Sequence, residues 1–444
     1  MQRIEIHNFG PIKDATIEIP KFLLLIGEQA SGKSTVAKLI YFFKSLRQDF
    51  IQSILKMSPE KSFSQKKNLE IPIRKKFLAY FGSPTIFDFY DITFFYSDSK
   101  SISIKWNGYT LTIELSQGFI SDSSKRKLRY IRKKYIITNG KQFDLFLHAE
   151  FNKDVLELAY DCFNTYEDDL FYIVADRSST VSFGHLFERV FSRELENSLL
   201  FLSKTRIQSC EEILLREFLD RVALLKDYFS KFNIKKQDSS IIKWVLSKMS
   251  EILKGNYSYQ NGSEHISWGQ KRNNSVNLKN ASSGQQEVIR VLQDIVWVFQ
   301  QKVNAFRIVE EPESHLFPLA QKKLIELLSA MVKGERSNSL VITTHSPYIL
   351  SSINNLLFAH QASMRFPELQ ESIQKEVSQY SWIDSMEFRA YALSNNDNQV
   401  CCQSILDERT GMIAQNYLDS VSDELSEEFN QVYKLFLSKL KEQK

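Results

Sequence analysis

Cysteine is scarce. The 444 residues include four, Cys162, Cys210 and the adjacent Cys401 and Cys402, with no CxxC spacing and no accompanying histidine array. Neither a zinc site nor a disulfide framework is indicated, and a reducing cytosol is the expected setting. The N-terminus, MQRIEIHNFG, lacks a basic head followed by an apolar run, and no apolar stretch approaches bilayer-spanning length. The expectation is a soluble, cytoplasmic protein with no membrane partner. Excess charge is lacking too: 57 Lys and Arg stand against 53 Asp and Glu, a formal net charge of +4. Global charge therefore declares neither a nucleic-acid binder nor an acidic scaffold, and any basic function must be local. Internal repeats and low-complexity tracts are absent. Apolar material is plentiful, at 43% hydrophobic and 13% aromatic residues, which suffices for two or three packed units and excludes a disordered chain.

Residues 1–26 alternate apolar and polar positions (Ile4, Ile6, Ile17, Ile19) and finish in the apolar run Phe22 to Ile26. This pattern predicts strands, the last of them fully buried. A glycine loop follows, and Val36, Leu39, Ile40 and Phe43 then keep helical spacing. From about 86 to 150 the chain is rich in Phe, Tyr, Ile and Thr, punctuated by Gly108, Gly118 and Gly140, and short antiparallel strands are expected. Between about Phe183 and Leu253 the spacing turns helical, as in EEILLREFLDRVALLKDYFSKF, too short and too irregular in its heptads for a rod. Helices from Gln285, from Leu319 and after Pro347 alternate with strands at Phe306–Val309 and Leu340–Thr343, which implies a parallel sheet covered on both faces.

Four motifs carry chemistry. Gly27-Glu28-Gln29-Ala30-Ser31-Gly32-Lys33-Ser34-Thr35 fits G-x-x-x-x-G-K-[ST] between an apolar strand and a helix. Such a loop turns backbone N–H groups and a helix N-terminus toward phosphate oxygens. Lys33 is expected to reach the β- and γ-phosphates, Ser34 to hold Mg²⁺ and Thr35 to lie near the α-phosphate of a nucleotide. Phe306-Arg307-Ile308-Val309-Glu310-Glu311-Pro312-Glu313 delivers two consecutive carboxylates to a strand's C-terminal edge, where ligands bind in open α/β sheets. Alternation along the strand would turn Glu310 toward Mg²⁺, through water, and Glu311 toward an attacking water. Ala281-Ser282-Ser283-Gly284-Gln285-Gln286-Glu287 opens a helix and builds either an anion site or simply a cap. Leu340-Val341-Ile342-Thr343-Thr344-His345 ends a buried strand on a histidine placed to hydrogen-bond a γ-phosphate, although a lone histidine is more often structural.

In this order the motifs resemble the ATPase heads of the ABC superfamily. MQRIEIHNFGPIKDATIEI, SSGQQE, EEPESHLFP and TTHSPYIL resemble its RecF, SMC and OLD (overcoming-lysogenization-defect) branch, and the match covers residues 1–50 and about 280–355. The resemblance implies an α/β ABC-type head, a parallel core sheet covered by helices plus an antiparallel β-layer, with an inserted helical lobe. It implies ATP and Mg²⁺ as cofactors, Glu311 and His345 as catalytic groups, and Gly27, Gln29, Ala30, Ser31, Gly32, Lys33, Ser34 and Thr35 as the ATP-binding loop. It also implies a homodimer or higher oligomer in which Ser282, Ser283, Gly284 and Gln285 close in trans on the γ-phosphate held by the partner's Lys33, and in which Glu313 to His315 cross the interface. Ala281 and Ser283 depart from the common LSGGQ signature, and no glutamine linking the second lobe to Mg²⁺ is identifiable. Tyr172-Ile173-Val174-Ala175-Asp176-Arg177-Ser178-Ser179 is similar to the I-P-A-E-R-S segment of anti-phage ATPases of this branch, so Arg177 either supports the nucleotide site or the dimer, or the segment holds a buried ion pair between Asp176 and the surroundings of Arg177.

The expected division is 1–182 for the first part of the head, 183–270 for the inserted lobe, 271–360 for the rest of the head and 361–444 for an α/β element of unassigned role. After His345 there is no D-x-D pair, so a two-metal Toprim nuclease is not expected in this chain. The nearest analogy is to Septu-type and PARIS-type two-gene systems, in which such an ATPase controls a separate nuclease or toxin. A RecF-like ATP-gated DNA clamp is the alternative, and a transporter cassette ranks last. The run Lys125 to Lys134 interleaves cations with Tyr130 and Ile131 and suits nucleic acid, an acidic partner or plain solvation. Lys61 to Lys76 is similarly basic.

Overall fold

A computed structural model describes residues 1–55, 63–86, 88–139, 145–182, 209–232, 239–260, 262–269, 274–334, 337–396 and 399–414. Lys61, Gly140, the start of the expected helical lobe at 183–208 and the chain after Ala414 lie outside the described residues.

The chain opens with β1 (Gln2–Phe9) and β2 (Ile12–Ile19), antiparallel, and β3 (Phe22–Gly27). Helix α1 (Lys33–Leu55) follows the glycine loop. After α2 (Ile71–Phe81), strands β4 (Tyr90–Ser97), β5 (Lys100–Trp106) and β6 (Leu111–Leu115) extend the sheet from β1 as an antiparallel layer. The strand expectation for 86–150 holds only that far, because α3 (Asp122–Asn139) and α4 (Leu145–Phe163) are helical. Aromatic and β-branched content argued for strands there, but Val155, Leu158, Ala159 and Cys162 are buried at helical spacing and bury one face of α4 in the core beside α1.

Strand β7 (Asp169–Ile173) leads into α5, whose described part is 177–182. Helices α6 (Cys210–Lys231) and α7 (Ser240–Leu253) precede a separate antiparallel sheet, β8 (Asn256–Gln260), β9 (Ser263–Ser267) and β10 (Ser275–Asn277). The described part of the expected helical lobe is thus helix and strand together. It shares a hydrophobic core with α8 (Ser283–Gln301): Phe218, Met249, Tyr257 and Ile266 lie with Val288 and Leu292 in one cluster. Then come β11 (Ala305–Glu310), α9 (Pro318–Lys333), β12 (Ser339–Thr344), α10 (Pro347–Arg365), α11 (Gln370–Glu376), β13 (Phe388–Asn396) and β14 (Gln399–Ser404).

One sheet of 11 strands runs β6-β5-β4-β1-β2-β14-β13-β3-β12-β11-β7. Strands β13, β3, β12, β11 and β7 are parallel, and β14 reverses to pair with β13 while running parallel to β2. Strands β13 and β14 therefore join the antiparallel layer to the parallel core, which the sequence left as separate layers. Period-two alternation splits β3 between two cores. Leu23 and Leu25 face the cluster of α1, α2 and α4, whereas Phe22, Leu24 and Ile26 face that of α8, α9 and α10. With both faces covered, β3, β11 and β12 are buried almost throughout, and Arg307, a charged residue within β11, finds buried partners.

Candidate nucleotide site

The parallel strands end side by side. Ile26 of β3 pairs with Thr344, Thr343 with Glu310, and Val309 with Ile173 of β7, so four loops leave one edge of the sheet. This is where a doubly wound sheet places its ligands.

The loop after β3 curls over its own lysine. Lys33 Nζ donates to the Gly27 carbonyl at 2.9 Å, the Glu28 carbonyl at 2.7 Å and Ser31 Oγ at 3.4 Å. Gln29 and Ala30 are exposed, Ala30 with a left-handed φ of 61°; Gly32, Ser31 and Lys33 are buried. Ser34 is exposed and Thr35 half-buried at the head of α1. Burial lowers the Lys33 ammonium from its ordinary pKa while the charges of Glu311, Glu313 and Glu310 pull it the other way. The loop also has a partner that the sequence did not disclose: a Cβ on Gly27 would collide with the carbonyl oxygen of Leu393 in β13.

The two acidic residues diverge by a turn, not by strand alternation. β11 ends at Glu310, and Glu311 is left-handed with φ 43°, a conformation costing a non-glycine residue about 1 kcal/mol or more. Its N–H donates to the Thr343 carbonyl at 2.9 Å. Glu310 accepts from the Ala175 N–H at 3.3 Å through Oε2, while its Oε1 is buried without a partner. Glu311, its side chain 40% exposed, lies with Oε1 at 3.4 Å from Nε2 of His345. Glu313 binds the end of β12, accepting from Thr344 Oγ1 and from the His345 N–H, each at 2.7 Å. Carboxylates and histidine thus form one cluster facing Lys33.

The serine-glycine segment is a helix cap by its geometry. Ser282 caps α8 in a capping box with Gln285, and Gln285 Nε2 donates to the Leu253 carbonyl at 2.7 Å. Ser282 and Ser283 are exposed, and Gly284 packs on the carbonyl of His315. Arg177 is fully buried and pairs with Glu287 at 3.2 Å, so its ion-pair partner is not Asp176. No glutamine stands between β7 and α5, the segment next to Glu310. The sequence motif contains Gln286 and Glu287 but gives neither a role of its own. The available signal was a polar stripe, Glu287, Arg290 and Asp294, at three- and four-residue spacing on the buried side of an amphipathic helix.

The basic run lies on α3. Lys125, Arg126, Arg129, Tyr130 and Lys133 are exposed, with Leu128 and Ile131 facing the core. Lys127 pairs with Glu157 at 2.8 Å and Lys125 with Asp122 at 3.0 Å, and Lys76 of the earlier basic stretch pairs with Asp49 at 2.6 Å.

A glycine loop after a buried parallel strand, faced by carboxylates and a histidine from the two adjoining strands, defines a P-loop nucleotide-binding domain. The family described as AAA ATPase domain matches residues 1–350, and the chain belongs to it. Among solved structures the chain is similar to the SmcHead bound to the C-winged helix domain of ScpA, at 12% identity over 92% of this chain and 98% of that one, with a TM-score of 0.38. It is similar also to the SMC head domain from Thermotoga maritima, at 10% identity over 91% and 98%, with a TM-score of 0.38. Likeness at that level does not bear on what this chain does. No curated protein matches. No described helix is long and apolar enough to cross a membrane.

Proposed function

We propose that the chain is an ATPase head of the ABC type, in the RecF, SMC and OLD branch, which dimerises on ATP and hydrolyses it between two copies. The carrying observation is the convergence on one sheet edge of Lys33, the three carboxylates whose charge it feels, and His345. In this reading the backbone of Gly27 to Gly32 and the side chains of Lys33 and Thr35 bind the triphosphate, whose oxygens replace the Gly27 and Glu28 carbonyls around the ammonium. Glu311 takes the proton of the attacking water and His345 contacts the γ-phosphate. Ser282 to Gln285 meet the partner's nucleotide, in keeping with the exposure of both serines. Glu310, with a buried and unpartnered oxygen, and the exposed Ser34 are the residues that would hold Mg²⁺. Bound there, the ion would neutralise phosphate charge. Among the described residues no three His, Cys, Asp or Glu form a metal cluster, so phosphate and water would complete its shell.

Light scattering on the Glu311→Gln protein tests this reading. An ATP-dependent dimer that retains ATP is expected, and Lys33→Ala should bind no nucleotide and stay monomeric. Turnover by Glu311→Gln at the wild-type rate would refute the role given to Glu311.

The work driven by ATP is, in this reading, control of a separate nuclease or toxin in prokaryotic anti-phage defence. The support is the likeness of Tyr172 to Ser179 to the I-P-A-E-R-S segment of anti-phage ATPases of this branch. One observation favours the RecF-like clamp as a second reading: Lys125, Arg126, Arg129 and Lys133, four residues apart or adjacent, form an exposed basic face of α3. Capture of host partners on Glu311→Gln separates the two. A stoichiometric nuclease or toxin supports the first; DNA released by salt, with no effector, supports the second.

A further inference from the structure

The described part of α5 joins two motifs that lie far apart in sequence, and a single buried arginine makes most of the connection. Arg177 Nη1 donates to the carbonyls of Glu310 at 2.6 Å and Val174 at 2.9 Å, and Nη2 donates to the carbonyl of Glu311 at 3.0 Å. Its Nε donates to the carbonyl of Glu287 at 3.0 Å and lies 3.2 Å from that residue's carboxylate. The Glu287 carboxylate in turn accepts from the N–H groups of Arg177 and Ser178, each at 2.9 Å, so it caps α5. Neither side chain reaches solvent: Arg177 is 0% and Glu287 1% exposed.

The neighbouring Gln286 extends the connection to the segment that precedes α8. Its Nε2 donates to the carbonyls of Leu278, Lys279 and Ala281, at 3.1, 3.0 and 3.1 Å, and its Oε1 accepts from Ser182 of α5 at 3.2 Å. The backbone of Glu311 is held at both ends: its N–H donates to the Thr343 carbonyl, and its carbonyl accepts from Arg177 at 3.0 Å and from the N–H of Ser314, three residues on, at 3.1 Å. A side chain on a left-handed residue goes where that backbone is held, and Glu311 has no β-ladder to hold it.

We propose that Arg177 is a positioning residue for the acidic pair: it aims Glu311 at the attacking water through the main chain, and Glu287 ties that aim to the Ser282–Gln285 turn. Arg177 itself is too buried to touch nucleotide. Contact made by the serine turn of α8 thus reaches the chain's own Glu311 through Glu287 and Arg177. The proposal rests on the assignment of Glu311 to water activation.

The test is steady-state ATP hydrolysis by full-length wild type, Arg177→Lys, Glu311→Gln and the double variant, with nucleotide affinity measured separately by a fluorescent ATP analogue. Lysine keeps the charge but cannot reach three carbonyls and Glu287 together. Misplacing a reacting group by about 1 Å costs on the order of 100-fold, so kcat should fall by about that factor in Arg177→Lys while the affinity for the analogue changes by less than about threefold. Because the effect passes through Glu311, the double variant should be no slower than Glu311→Gln alone. Equal losses that multiply in the double variant, or wild-type kcat in Arg177→Lys, would overturn the proposal. Wild-type turnover by Glu311→Gln would instead overturn the assignment beneath it, whatever Arg177→Lys does. Should Arg177→Lys fail to fold, Glu287→Gln, which retains one acceptor for the α5 N–H groups, takes its place with the same non-additivity criterion.

Discussion

Gly284 sits where α8 meets the loop after β11, and a Cβ there would stand 2.5 Å from the His315 carbonyl oxygen. Backbone on backbone cannot give way as a flexible side chain would, so Gly284→Ala should push the 313–315 loop outward. The expected cost is about 1–3 kcal/mol, as for other overpacked sites, and thermal unfolding would read it. Glu313 belongs to the same loop and holds Thr344 and His345, so turnover should drop with it. An alanine variant with unchanged stability and rate would show that the two loops do not share this contact. At this scale the sequence singles out Lys33 and Glu311 as candidates, because their neighbours in the chain mark them. It was not legible for Glu287, because its partner Arg177 lies 110 residues away.

Helix α8 is the element on which the site is hung, and its inner face is charged. Arg290 donates to Glu264 of β9 at 2.5 and 2.8 Å, and Asp294 accepts from Arg307 of β11 at 2.5 Å and pairs with Arg221 of α6 at 3.0 Å. Burial pushes the Glu264 carboxyl up, but the hydrogen bonds and charge of Arg290, with Lys226 beside them, outweigh it and hold the group at about 2. Its ordinary value is 4.5, so the unfolded chain binds this proton first on acidification. The stability it contributes is complete above about pH 4.5 and is lost as pH falls toward 2. Urea unfolding at pH 6 and pH 3.5 should therefore show Glu264→Gln less stable than wild type at pH 6, with a difference that shrinks at pH 3.5. A difference independent of pH would mean that Glu264 has no depressed carboxyl in the fold. Helix periodicity revealed α8 itself; that its polar stripe faces inward depends on β9 and β11 supplying the opposite charges.

At the scale of the whole sheet, β13 and β14 join its two halves. β13 lies between β14 and β3, and β14 between β13 and β2, with Phe388, Ala390 and Ala392 in one core and Leu393 in the other. Ending the chain at residue 387 would leave β2 and β3 with unpaired edges and Gly27 without the Leu393 backbone beside it. Such a truncation should be insoluble or lack a cooperative melt, and a soluble, cooperatively melting 1–387 fragment would disprove the role given to these strands. The sequence by itself determined the local pieces: a buried strand, glycine loop and helix over 22–43, acids after an apolar run at 306–309, a histidine after 340–343. In each of these the hydrophobic period and the residue that breaks it are neighbours in the chain. It misjudged 122–150, where aromatic content outweighed helical spacing. Tertiary structure alone decided that strands near residue 400 would complete a sheet begun at residue 2, that Glu311 would turn left-handed out of β11, and that Arg177 would join α8 to the acidic edge. Each depends on hydrogen-bond partners distant in sequence, and local propensity does not specify which backbone groups pair across the fold.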